Sequence, residues 1–151
     1  MEKLQSLKLT DAENVQKAIL SLILQYPYYP DTFEPNNKTV KWSNIDTDNS
    51  IGLFPLSGAV YLEKYVDGTY LGQMPFQLVY RSSPTTNKSS IEAQNVVECI
   101  GKWLEGCDIS FESVDICFEE IERTSTVYPV KIDEKTTGYG ININVKYTAE
   151  L

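Results

Sequence analysis

The hydrophobic repeat of this chain changes along its length, and that change limits the fold more than any other feature. After the capping-box sequence Thr10–Glu13, apolar residues recur at helical spacing, and they do so again from Ala93 to Leu104. From Thr39 to Arg81 and from Val114 to Tyr147, short apolar runs follow the two-residue period of strands. This order differs from the regular alternation of a parallel doubly wound sheet. It predicts an α+β domain, a mostly antiparallel sheet with two amphipathic helices packed on one face.

The dipeptide Asp67-Gly68 lies between two strand-like segments, Ala59–Val66 and Thr69–Arg81. Asp-Gly is typical of type I′ hairpin turns, because glycine accepts the positive φ of the central positions freely and aspartate tolerates it. We therefore predict a long hairpin around this dipeptide. Pro75 cannot donate to a strand ladder, so the second hairpin strand should lie at a sheet edge or be bulged at that residue.

Two further segments support the predicted order of elements. Ser89–Glu92 has the form of a second capping box and predicts the start of the second helix, which should end at Gly106. Tyr139–Tyr147 is the clearest strand, because its apolar and polar residues alternate strictly. The apolar positions are Ile141, Ile143, Val145 and Tyr147, and the polar ones are Asn142, Asn144 and Lys146.

The length of 151 residues is that of one domain, so we expect residues 1–151 to fold as a single unit in which residues 1–9 are flexible. No apolar run reaches the ~18–20 residues that cross a bilayer. The start, Met1–Ser6, lacks the apolar stretch of a signal peptide. We expect a protein that stays in the cytoplasm and binds no membrane.

Charge and histidine content restrict the function classes. With 13 basic and 21 acidic residues, the net charge of −8 argues against a nucleic-acid groove or an anionic membrane as the main partner. The chain has no histidine, and therefore no Ser/His or Cys/His pair and no ordinary imidazole zinc site. Cys99, Cys107 and Cys117 are odd in number and without CxxC spacing, so we interpret them as buried thiols in a reducing compartment. We expect no enzyme, no cofactor and no metal.

Two clusters could suggest chemistry, and each has a simpler interpretation. Glu119, Glu120 and Glu122, with Asp115 before them, could hold a divalent cation or act as an acid/base pair, since Glu120 and Glu122 share a strand face. A strand that points its acidic side chains to solvent has the same sequence pattern, and we favour this interpretation. Gly138-Tyr139-Gly140 could suggest a phosphate cradle, but no helix follows it, so we predict a turn entering the final strand.

Aromatic residues are frequent, with ten tyrosines in the chain. Aromatic rings with a polar tip suit protein interfaces, although they also favour strands for packing alone. The two interpretations remain open for a proline-containing loop and for the hairpin. The aromatic residues in these segments are Tyr26, Tyr28, Tyr29, Phe33, Tyr61, Tyr65, Tyr70 and Tyr80.

The hairpin carries a family resemblance. Lys64-Tyr65 precedes a hydrophobic-Asp-Gly turn, and Gln73 and Pro75-Phe76 follow it into the next strand. This segment resembles the minor capsid or tail-terminator (tail-completion) proteins of long-tailed phages and prophages. In element order and size the likeness extends from Thr10 to Tyr147 and includes a second helix with a tryptophan, here Trp103. The match in letters is confined to the hairpin.

The resemblance implies a structural virion protein, assembled in the host cytoplasm. Its copies would form a ring, commonly a hexamer, that caps the tail tube and contacts the head connector. It predicts a subunit interface at the hairpin, with Asp67 and Gly68 forming the turn. The residues expected in this interface are Tyr65, Asp67, Gly68, Tyr70, Gln73 and Phe76.

The alternative is an acidic binding protein, such as a toxin-immunity protein, whose carboxylates mask a basic active site. Glu119, Glu120 and Glu122 would then be the working surface. A small enzyme that uses carboxylates alone is a third and weaker interpretation.

Overall fold

A mixed sheet with two helices makes up the part of the chain that the computed structural model describes, residues 11–26, 40–42, 51–81, 87–111, 115–132 and 137–150. The helices are α1 (Asp11–Ile23) and α2 (Asn87–Glu105). The strands are β1 (Val40–Trp42), β2 (Ile51–Pro55), β3 (Tyr61–Lys64), β4 (Thr69–Arg81), β5 (Ile116–Arg123), β6 (Tyr128–Lys131) and β7 (Thr137–Glu150).

Strands β4 and β7 form the centre of the sheet. They pair antiparallel from Thr69–Glu150 to Arg81–Gly138, along the whole of β4. On the far side of β4, β2 and β3 pair one after the other, and on the far side of β7, β5 and β6 do the same. All these pairings are antiparallel, and only β1 runs parallel to its neighbour, β2. The predicted α+β class with a mostly antiparallel sheet is confirmed.

The core forms because the apolar residues of each element lie on one side. Alternate residues of β7 face inward, as the sequence predicts, and are buried together with alternate residues of β4. Val15 and Ile19 of α1 and Val97 and Ile100 of α2 belong to the same buried cluster. Tyr26, just after α1, packs edge-on against Trp103 of α2 with the ring centres 5.3 Å apart. Each fully buried aliphatic side chain of this cluster, such as Val15 or Ile100, stabilises the fold by roughly 1.5–3 kcal/mol.

Arg123, at the end of β5, fastens α2 to the sheet. Its Nε donates to Glu105 Oε1 at 2.7 Å, and its Nη1 lies 2.9 Å from Glu98 Oε1. Its backbone N–H also donates to Glu105 Oε2 at 3.1 Å, so Arg123 and Glu105 are joined by two hydrogen bonds. This backbone hydrogen bond is the main reason why the pKa of Glu105 lies below its usual value.

The turn around Asp67-Gly68 differs from the predicted two-residue type I′ turn. Gly68 N–H donates to Tyr65 O and Tyr65 N–H donates to Thr69 O, so Val66 and Asp67 are the central residues. Gly68 follows them with a φ of +93°. This pattern is that of a longer loop, a type I turn with a glycine bulge. Strand β3 pairs with only a short part of β4, so the long hairpin is not confirmed.

Strand β4 lies inside the sheet, so the prediction that Pro75 lies in an edge strand or at a bulge is wrong, although at Pro75 itself the only strand partner is β7. Pro75 lies opposite Asn144 of β7 in a regular ladder. Its carbonyl accepts a hydrogen bond from Leu56 N, on the side of β2 and β3. A residue's nitrogen and carbonyl point to the same side of an antiparallel strand, so the proline nitrogen faces the gap between β2 and β3. No ladder bond is lost there.

Two other boundaries differ from prediction. Helix α2 begins at Asn87, so Ser89 and Ser90 lie inside its first turn, while its end before Gly106 is as predicted. Gly138-Tyr139-Gly140 lies within β7 instead of forming a turn. A Cβ atom on Gly138 would lie 2.5 Å from Tyr80 O, so close strand packing explains this glycine. The predictions for residues 1–9, for Thr10 and for the loop with Tyr28, Tyr29 and Phe33 lie outside the described residues.

Candidate functional site

Exposed apolar side chains are concentrated on the segment from the end of β2 to the β3–β4 turn. We call this group the hairpin patch; its members are Leu56, Val60, Tyr61, Leu62, Tyr65 and Val66. Val60 retains 66% of its accessible surface and Val66 is fully exposed. Elsewhere in the described residues, only Leu24 and Ile91 are large hydrophobic residues with comparable exposure. Exposed apolar side chains gathered on one segment make that segment a candidate for a protein–protein contact.

Strand β3 presents this patch because it has a neighbour on one side only among the described strands. All four of its residues are exposed. Its register with β4 shifts between Tyr61 and Glu63, so that Leu62 is an extra, bulged residue. The Tyr61 ring lies edge-on to Tyr70, with the ring centres 4.8 Å apart. Lys64 Nζ lies 4.5 Å from the centre of the Tyr61 ring, a cation–π contact.

Asp67 and Gly68 form the turn, as their predicted role requires. The Asp67 carboxylate accepts hydrogen bonds from the backbone N–H of Thr69 at 3.0 Å and from its hydroxyl at 2.6 Å. The bond to the hydroxyl is the main reason why the pKa of Asp67 is lowered. This local bonding holds Val66 at the tip, where its side chain is exposed to solvent.

Gln73 makes its hydrogen bonds within its own chain. Its Nε2 donates to Ala59 O at 3.0 Å, and its Oε1 accepts from Asn144 Nδ2 at 2.9 Å. The amide therefore ties the segment between β2 and β3 to the centre of the sheet. Gly58 lies directly over it, since a Cβ atom at that position would be 2.9 Å from Gln73 Nε2.

Tyr70 and Phe76 are buried in the core, although the resemblance places them in the interface. Phe76 is 1% exposed and its ring centre lies 6.3 Å from that of Trp42. Tyr70 is 5% exposed and packs between Tyr61 and Tyr147. These two side chains pack inside their own protomer and are not accessible to a second chain. Tyr65, Asp67 and Gly68 remain at the exposed end of the hairpin.

Four exposed residues of the hairpin patch were missed as site candidates: Leu56, Val60, Leu62 and Val66. The sequence does contain a signal for them. Ala59–Val66 carries apolar or aromatic residues in both phases of the strand period, which is unusual for a strand with one solvated face.

The acidic group on β5 is paired within the chain. Lys146 Nζ lies 3.1 Å from Glu120 Oε1 and 3.1 Å from Glu122 Oε1, so these acids share a face as predicted. Hydrogen bonds to Glu122 and then to Glu120 raise the pKa of Lys146. Glu119 accepts a hydrogen bond of 3.3 Å from the Thr148 hydroxyl. Among the described residues, no three Cys, Asp or Glu side chains converge in a way that could hold a metal ion.

A shallow depression of about 330 Å³ connects the acidic group to the hairpin. Tyr65 and Leu71 form one side of it, and Glu119 and Lys146 form the other. The pKa of Tyr65 is raised, mainly by its hydrogen bond with Glu63 and to a smaller extent by Glu119. The lining of the depression includes one cation, Lys146, and two acids, Glu119 and Glu120.

Neither described helix is both long and apolar enough to cross a bilayer. Comparison of the chain with models of known protein families gives no match, and comparison with curated proteins gives no significant match.

Proposed function

We propose that this chain is a structural virion protein, a tail-terminator-like subunit whose copies form a ring at the head–tail junction of a long-tailed phage. The ring, with six copies as the expected number, would cap the tail tube and contact the head connector. The observation that carries the proposal is the hairpin patch, a group of exposed apolar side chains on β3 and on the segments just before and after it. A subunit of a closed ring needs such a surface, because it must bind its neighbour through one patch and be bound through another.

A contact through the hairpin patch has to offset the free-energy cost of association. Burying a fully exposed valine, leucine or aromatic side chain contributes roughly 1.5–3 kcal/mol. Association costs about 4–15 kcal/mol in lost translational and rotational freedom, so several members of the patch must be buried together. The described β3–β4 ladder is short, and we therefore assign the contact to β3 and the exposed turn instead of a long ribbon.

The proposal takes the two helices to cover one face of the sheet, which leaves the edge at β3 for a neighbouring copy. It involves no catalysis and no cofactor. The net charge of −8 suits a protein that surrounds the passage of DNA without gripping it, because the phosphates would be repelled. In this proposal the chain folds in the host cytoplasm and ends in the virion.

The acidic-binder alternative draws less support. Its working surface would be Glu119, Glu120 and Glu122, but Lys146 already neutralises part of that group. Masking a basic active site requires acids that are free to pair with the partner.

The test compares assembly of the wild-type protein with that of two matched variants. Val66→Asp places a charge at the tip of the hairpin patch, and Ile91→Asp places one at an exposed apolar position on α2. We expect wild type and Ile91→Asp to form rings in light scattering and negative-stain images at raised concentration or on purified tail tubes. Val66→Asp should stay monomeric with an unchanged unfolding curve. A wild-type protein that stays monomeric under all these conditions would refute the proposal.

A further inference from the structure

Among the described strands, β3 and β5 each have one edge without a partner strand, and these two edges lie at the same level of the sheet. Strand β3 borders β4 on one side, and β5 borders β7 on the other, with β4 and β7 paired between them. Residues opposite one another therefore form rows that cross the whole sheet from β3 to β5. Two of these rows are Tyr61–Gly72–Tyr147–Phe118 and Lys64–Tyr70–Ala149–Ile116.

The strand directions permit the sheet to continue from one copy into the next. Each pairing from β3 through β4 and β7 to β5 is antiparallel, so β3 and β5 run in opposite directions. If a second copy is placed beside the first in the same orientation, its β5 lies antiparallel to β3. The contact is then head-to-tail, which builds a ring when the rotation between copies closes.

The backbone of β3 has hydrogen-bonding groups directed outward. Tyr65 N–H donates to Thr69 O of β4. Since the groups of successive residues in an antiparallel strand point to alternate sides, the N–H and C=O of Lys64 point away from β4. A free edge of this kind accepts another strand, and the bulge at Leu62 restricts the registers in which that strand can pair.

The side chains favour this pairing over one between two β5 strands. Extending the rows without a shift places Tyr61 opposite the half-buried Phe118 of the next copy, an aromatic pair. Glu63 then lies opposite Cys117, which is exposed, contrary to the prediction that the cysteines are buried. Two β5 strands side by side would instead bring Glu119 and Glu120 of both copies together, and like charges directly opposite destabilise a sheet.

We infer that a second copy of this chain docks its β5 strand antiparallel onto β3, so that one sheet runs from subunit to subunit and Tyr61 packs against Phe118 of the neighbour. This inference rests on the proposed function and names the two surfaces that the ring joins. Tyr61 is prearranged for the contact, because Tyr70 and Lys64 hold its ring while 41% of its surface stays exposed.

The test uses the native thiol of Cys117. A chain with Glu63→Cys, and with Cys99→Ser and Cys107→Ser so that Cys117 is the only native thiol, is assembled and treated with a mild thiol oxidant. Cα atoms of residues directly opposite in an antiparallel pair lie about 4.5–5.5 Å apart, within the range of a disulfide. We expect covalent ladders up to the ring size on a non-reducing denaturing gel. Matched controls carry either an added Cys117→Ser or Gln94→Cys on the exposed face of α2 in place of Glu63→Cys, and should give no ladder.

Each other outcome is decisive for one of the two proposals. Rings in light scattering without a Glu63→Cys ladder would overturn the strand pairing and leave the proposed function standing. Cross-linking that persists in the Cys117→Ser control would show two β3 strands meeting across a two-fold axis, and would overturn the head-to-tail contact. Monomers under all conditions would refute the proposed function itself. As a second measurement on unmodified protein, hydrogen exchange should slow in peptides from β3 and β5 on assembly, and exchange that stays unchanged there would count against the pairing.

Discussion

Replacing Gly72 by alanine should destabilise the fold, because two tyrosine rings occupy the space that the new methyl group would need. A Cβ atom at Gly72 would lie 2.8 Å from Cζ of Tyr147 and 2.9 Å from Cε2 of Tyr70. Both rings are buried, at 4% and 5% exposure, so neither can swing into solvent. Gly72 lies opposite Tyr147 in the ladder, at the centre of the row that ends at Tyr61.

The magnitude follows from two opposing effects. Overpacking a closed core typically costs about 1–3 kcal/mol. Replacing glycine by alanine recovers about 0.4–1 kcal/mol, because the unfolded chain loses conformational freedom. We expect a net loss of about 1–2 kcal/mol. With a urea m-value of about 2 kcal/mol/M, the midpoint of unfolding should fall by roughly 0.5–1 M.

The assay is urea unfolding followed by circular dichroism and by intrinsic fluorescence, with coincident curves as the check on two-state behaviour. Gly106→Ala is the matched control, because the nearest atom to its Cβ position, Trp103 O, is 3.6 Å away. That variant should stay within about 0.5 kcal/mol of wild type or be slightly more stable. In a Tyr147→Leu background, Gly72→Ala should cost less than in wild type. A Gly72→Ala variant as stable as wild type, or one whose cost is unchanged by Tyr147→Leu, would refute the reasoning.

Two further substitutions test the turn and the helix clamp. Gly68→Ala should lower the free energy of unfolding by about 1–2 kcal/mol, since the φ of +93° is strained for a residue with a Cβ atom, and chemical denaturation that shows no loss would contradict the turn geometry. For Glu105, whose pKa is lowered in the folded state chiefly by the hydrogen bond from the Arg123 backbone, the stabilising effect is present above the unfolded pKa of about 4.3 and disappears as pH falls through the folded value. Thermal unfolding from pH 7 to pH 3 should therefore show wild type losing its advantage over Glu105→Gln in acid, and an advantage that is constant with pH would argue against the clamp.

The sequence predicted the elements whose evidence is local. Helix α1 and strand β7 were predicted because a repeat of 3.6 or of two residues places their apolar side chains on one side before any partner is known. The prediction that Glu120 and Glu122 lie on the same face of their strand followed from the same argument. The place of β4 at the centre of the sheet was not predictable, because it depends on pairing with β7, which begins more than fifty residues after β4 ends.

The predicted site illustrates the same division. Tyr65 and Tyr70 are the same residue type within one hairpin, yet one is exposed and the other is buried under Tyr61 and Tyr147. The hairpin letters identified the segment correctly as a turn between strands. They carried no information about which of its aromatic rings the rest of the sheet would cover.

By itself, the sequence determined the α+β class, the apolar face of each main element and the existence of a turn at Asp67-Gly68, because side-chain periodicity and the backbone freedom of glycine act within a few residues. Only the tertiary structure decided which strand edges stay free, which way the Pro75 nitrogen faces and which apolar residues remain in solvent. These properties depend on strand pairing between distant segments. The partner strand sets the register of each strand and the burial of its side chains, and no local sequence pattern specifies that partner.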